Sequence, residues 1–155
     1  MEKHGNYING EWRDPASGRW RPIYNPARPC EALGEFADSG PEDLEAAVAA
    51  AHAASEGWAN TPGPQRGALL FRFAQLLEES KAELGRIVTL EMGKALGEAM
   101  GEVGRAAVEA RFAAGEASRL EGRTFPSERS GFSCSTVLEP LGVVAAVVPW
   151  NSQLF

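Results

Sequence analysis

The sequence predicts an α/β protein, on three observations. Short segments carrying aromatic and β-branched residues, broken by turn formers, occupy the first 38 positions. Four stretches of helical period follow between positions 41 and 121. Finally, Gly142–Trp150 (GVVAAVVPW) holds no charge and, apart from the Trp indole, no side-chain hydrogen bonder. A run without alternation is the pattern of a parallel strand covered on both faces.

In the first region, YINGEW (7–12) sets Asn9-Gly10 between two short apolar pairs. Asn-Gly supplies the positive φ angles of a type I′ turn, so a tight hairpin is expected. WRPIYN (20–25) and LGEFAD (33–38) are further strands, separated by the turn-forming PARP.

Pro41 opens the first helix, with Glu42, Asp43 and Glu45 in the first turn, where the helix dipole favours negative charge. Leu44, Ala47, Val48, Ala51 and Trp58 should form its buried stripe. TPGP (61–64) breaks the chain before a second helix with Leu70, Phe73, Ala74 and Leu77 on one face. Ser80-x-x-Glu83 has the form of a capping box starting a third helix, which Gly93 stops. The fourth helix, about 95–121, has Leu96, Ala99, Met100, Val103, Ala107, Ala110 and Ala114 as its apolar face. Gly97, Gly101 and Gly104 lie beside it. Glycine weakens a helix by about 1 kcal/mol per residue, so the three imply close approach of another backbone. Glu98, Glu102, Arg105 and Glu109 read as the wet face. Beyond Gly122, Phe132, Cys134, Thr136 and Leu138 alternate with Ser133, Ser135 and Val137, a half-exposed strand.

Length and charge limit what such a protein does. At 155 residues the chain is about one domain by the length prior, and at that size a core forms without metal or disulfides. A net charge of −6, with acidic and basic residues interspersed, argues against nucleic acid or an anionic membrane as partner. Cys30 and Cys134 form no C-x-x-C pair, and MEKHGNY lacks the regions of a signal peptide, so the cytoplasm is the default location. His4 and His52 are too far apart in sequence for a metal-ligand motif, and no metal is expected.

A buried parallel strand needs neighbours for its amides and carbonyls, and these arrive through crossovers of a dozen or more residues. Only five residues follow Trp150. The expectation is therefore the front part of a longer protein. The rival is that the run joins the amino-terminal strands as an antiparallel sheet in a complete small domain.

YINGEW, YNPA (24–27), TLEMGK (89–94), EAMGEV (98–103) and EPLGVVAAVVPWN (139–151) together resemble, in order and spacing, the amino-terminal third of the aldehyde dehydrogenase superfamily. RFAAGEASRLEGRTFPS (111–127) is similar to the branch acting on semialdehydes. The resemblance implies an incomplete α/β fold: short β-hairpins, four helices, an oligomerisation strand and the first strand of a parallel nucleotide-binding sheet. It divides the chain into 1–129, hairpins and helices of the NAD(P)-binding domain; 130–139, the oligomerisation strand; and 140–155, the first sheet strand. It also implies oxidation of an aldehyde to a carboxylic acid through a cysteine thiolate, with NAD or NADP as cofactor, in a homo-oligomer.

Carried over residue by residue, Asn151 matches the amide that donates to the developing oxyanion. Pro149 and Trp150, with Asn151, match positions on the cofactor side. Taken without the family, Pro149 is a strand-ending proline and Trp150 a buried aromatic anchor. The family's nucleophile, water-activating glutamate and glycine-rich turn match nothing here, so the chain alone is expected to be inactive. Gly93-Lys94-Ala95 is not a phosphate loop. Asn151-Ser152-Gln153 replaces the family's usual Asn-Phe-Pro, removing the proline that would stiffen the turn. Two other readings stand beside the enzyme: a non-catalytic module assembling through 130–139, and the remnant of an interrupted gene.

Overall fold

The computed structural model describes residues 1–154. Its amino-terminal strands are β1 (Lys3–His4), β2 (Asn6–Ile8), β3 (Glu11–Arg13), β4 (Trp20–Tyr24) and β5 (Ala32–Ala37). β2 and β3 pair antiparallel, with Ile8 opposite Glu11, around Asn9 (φ 54°) and Gly10 (φ 81°). The type I′ hairpin expected from Asn-Gly is therefore formed. β5 is the centre of a three-stranded sheet, flanked by β4 antiparallel and by β1 parallel.

Four helices follow: α1 (Pro41–Ala59), α2 (Gly63–Glu79), α3 (Lys81–Met92) and α4 (Leu96–Glu116). α1 begins where Asp43 accepts the Gly40 amide at 2.8 Å and the Ala16 amide at 2.9 Å, tying the β3–β4 loop to the helix start. Its expected apolar stripe is not buried. Leu44, Val48 and Trp58 are exposed, and only Asp43 of this helix is buried. The reason is that α1 packs against β2 and meets no broad apolar face.

The core lies between α2, α3 and α4, where Ala74, Leu77, Val103, Ala106 and Ala107 cluster with Leu84, Ala110 and Leu154 against them. The capping box at Ser80 does not form. Ser80 is shared by the end of α2 and the start of α3 and caps neither with its side chain. Close backbone approach is real but falls on other glycines. A Cβ on Gly67 would meet the Ala114 carbonyl at 2.6 Å, and one on Gly85 would meet Met100 Cγ at 2.7 Å. Gly97 and Gly101 face open space, and Gly104 faces the Lys81 ammonium. The glycines that let the helices touch are thus on α2 and α3, facing α4.

Past α4, β6 (Thr124–Pro126) and β7 (Ser133–Ser135) pair antiparallel as a two-stranded hairpin. The hairpin begins before position 130 and covers less of 130–139 than the alternation suggested. Residues 142–150 form no strand and are exposed throughout, Val147 completely. The buried strand expected there is missing because none of the described strands pairs with it, and an extended run with no ladder does not leave water. Nor does it join the amino-terminal sheet as an antiparallel addition. The last position of that expected segment, Phe155, lies outside the described residues.

Candidate functional site

Pro149–Ser152 makes a tight turn, closed by a long 3.4 Å hydrogen bond from the Ser152 amide to the Pro149 carbonyl. Trp150, at its tip, is 79% exposed, and Pro149 and Asn151 are exposed as well. Among the described residues nothing takes up the Asn151 carboxamide, so its donor is free. The turn brings together all three residues singled out from the sequence.

Asn151 and Ser152 line a cleft of about 550 Å³ with Met92, Lys94, Glu98, Glu102 and Arg105. Its wall is set by the α3–α4 corner. Gly93 takes the left-handed conformation (φ 82°) that ends α3, and its amide donates to the Thr89 carbonyl at 2.9 Å. A Cβ there would lie 3.1 Å from Pro26 Cγ, so the YNPA turn is seated on this corner. That turn is held by buried Asn25, whose Oδ1 accepts the Ala27 amide at 3.0 Å. The motifs YNPA, TLEMGK, EAMGEV and PWN therefore meet in space.

Lys94 is the link. Its ammonium pairs with Glu102 of α4 and donates to the Asn151 backbone carbonyl at 2.9 Å. The other Glu102 oxygen accepts the Leu154 amide at 2.9 Å. Burial pushes the Glu102 carboxyl up, but Lys94 and the Leu154 and Gln153 amides outweigh it and hold the group below its usual range.

This corrects the assignment of Glu102 to the wet face, because only 6% of it is exposed. A signal was available: Ala99, Glu102, Val103 and Ala106 follow the i, i+3, i+4, i+7 pattern of a buried face. Nothing in the sequence around Lys94 points to its partner, because Glu102 lies eight positions on, across the α3–α4 corner.

Cys30 is exposed in the turn before β5, and Cys134 is half-buried on β7. Neither lines the Asn151 cleft. Among the described residues no three His, Cys, Asp or Glu side chains converge to hold a metal. No helix among them is long and apolar enough to cross a membrane. A second groove of about 560 Å³ runs between the carboxyl half of α1 and Pro140–Val144, and contains none of the expected site residues.

Comparison with known proteins bears on the family and the fold. A model of the aldehyde dehydrogenase family matches residues 12–155. The chain is 41% identical over 146 residues to an α-ketoglutarate semialdehyde dehydrogenase of Haloferax volcanii, covering 94% of this chain and 30% of that protein. It is 42% identical over 146 residues to malonate-semialdehyde dehydrogenase 1 of Geobacillus thermodenitrificans, with the same shares covered. An NADP-dependent enzyme of E. coli superposes with a TM-score of 0.95 at 33% identity, over 99% of this chain and 32% of that one. The chain thus spans about 30% of the length of the relatives it matches.

Proposed function

The chain belongs to the aldehyde dehydrogenase family, and from that premise we propose that it is the amino-terminal portion of an NAD(P)-dependent enzyme oxidising an aldehyde to a carboxylic acid. The observation that carries this reading is the free carboxamide of Asn151, presented on a turn beside a cleft. Semialdehydes are the favoured substrate class, on the strength of the names of the relatives at 41–42% identity.

When a thiolate adds to an aldehyde, the carbonyl oxygen gains negative charge and needs a donor already in place. Asn151 Nδ2 serves as that donor. Being uncharged, the amide stabilises the oxyanion without binding a carboxylate product tightly. The surface beside it suits a nicotinamide dinucleotide. The exposed Trp150 indole and Pro149 ring offer apolar area for its ribose and nicotinamide side. The cofactor, when bound, accepts hydride from the aldehyde carbon. Asn151 orients the carbonyl oxygen, and Pro149 and Trp150 support the cofactor.

The thiolate comes from neither Cys30 nor Cys134. The 155 residues alone therefore have no turnover. The β6–β7 hairpin supports assembly into a homo-oligomer, since β7 has no second strand neighbour among the described residues and Phe132, Val137 and Leu138 are exposed nearby.

The test is aldehyde-dependent NAD(P)H formation by the product of the intact reading frame. Asn151→Ala should lower kcat by about 10²–10³-fold and leave the unfolding midpoint nearly unchanged. A wild-type kcat in this variant would remove Asn151 from the reaction. NAD(P)H formation by the 155-residue chain itself would contradict its inactivity.

A further inference from the structure

We infer that Lys94 and Glu102 form a clamp that positions the Asn151 carboxamide, so that the α3–α4 corner sets the geometry of the oxyanion donor. The inference rests on the reading of Asn151 given above.

An asparagine on an exposed turn stabilises an oxyanion only if its backbone is held, because small misplacement of a catalytic group is costly in rate. The turn's own closure is weak: its single hydrogen bond is 3.4 Å long. Ser152-Gln153 brings no proline to stiffen it. The restraint comes from outside. Lys94 grips the Asn151 carbonyl at 2.9 Å, and Glu102 grips the Leu154 amide at 2.9 Å.

These two bonds hold the segment on both sides of Ser152-Gln153. The gripping groups are bonded to each other and little exposed, at 16% and 5% of their side-chain surface. Lys94 is fixed by the left-handed turn at Gly93, and Glu102 sits on the helix that carries the core. Leu154 adds an apolar anchor by packing on that core. Arg13–Glu11 and Arg28–Glu31, by contrast, are local surface pairs between residues two and three positions apart.

A merely structural pair and a positioning pair differ in how their loss combines with loss of Asn151. In the enzyme from the intact reading frame, Lys94→Met should lower kcat about tenfold and leave KM for the cofactor within about twofold. In an Asn151→Ala background, the same change should alter kcat by less than about twofold, because the group being positioned is gone. Lys94→Arg should recover most of the rate. Amide exchange at Gln153 and Leu154 should quicken in Lys94→Met.

Equal rate losses in both backgrounds, or unchanged exchange at those amides, would overturn the clamp. If Lys94→Met does not fold, the near-isosteric Glu102→Gln serves for the same comparison. Should Asn151→Ala alone turn over like wild type, the donor reading fails, while exchange at 153–154 still reports whether the pair holds the segment.

Discussion

Lys94 and Asn151, 57 positions apart, are joined by a 2.9 Å hydrogen bond from the ammonium to a backbone carbonyl. The lysine reaches it from the end of α3, and Glu102 behind it takes an amide from the same segment. Two motifs that look unrelated in sequence, TLEMGK and EPLGVVAAVVPWN, become one structural unit through a single side chain.

Acid should loosen that unit. The Glu102 carboxyl is held below its usual 4.5, burial being outweighed by Lys94 and by backbone amides. Asp43 is held below 3.8 by the Gly40 and Ala16 amides. A lowered folded-state pKa contributes stability that is complete above the unfolded value and is lost as pH falls through the folded one. The melting temperature should therefore fall as pH drops below about 4.5. Glu102→Gln and Asp43→Asn should each flatten that acid limb in melts run from pH 7 to 3. A melting temperature indifferent to pH over the acid range would contradict the assignment.

The helix glycines should divide into two kinds. Gly67→Ala drives a methyl toward the Ala114 carbonyl across the α2–α4 contact, and overpacking of that kind costs about 1–3 kcal/mol. Gly101→Ala meets nothing within 4 Å and should gain up to about 1 kcal/mol from helix propensity. Urea unfolding of both variants measures the difference. Equal effects would mean that α2 and α4 do not touch closely there.

Exchange of backbone amides should map the unpaired run. Residues 142–148 have no ladder and are exposed, so their amides should exchange far faster than those of Val103–Ala107 in the core helix. Slow exchange across 142–148 in the isolated chain would mean that the segment finds a partner strand.

Local features were legible in the sequence because their causes are local. Asn9-Gly10 demanded a positive-φ turn, Pro41 and its acidic followers marked a helix start, and Gly93 marked a helix end. All three are in place. Burial was less legible. Leu44, Val48 and Trp58 have helical spacing, yet they stay exposed because their helix packs mainly against β2 and no broad apolar face covers them. Glu102 looked solvated by residue type, yet its position in the apolar period of α4 buries it. Of the proposed site, the sequence singled out Pro149, Trp150 and Asn151 through their motif, but not the Lys94 and Glu102 contacts that hold their segment.

The amino-acid order alone determined the turns, the helix periods and the family resemblance, since backbone preference and side-chain spacing act over a few residues. Tertiary structure alone decided which glycines let helices touch, which acid is buried, and that Lys94 reaches Asn151. Those outcomes depend on what lies opposite each residue, and two groups 57 positions apart meet only when the chain between them has packed.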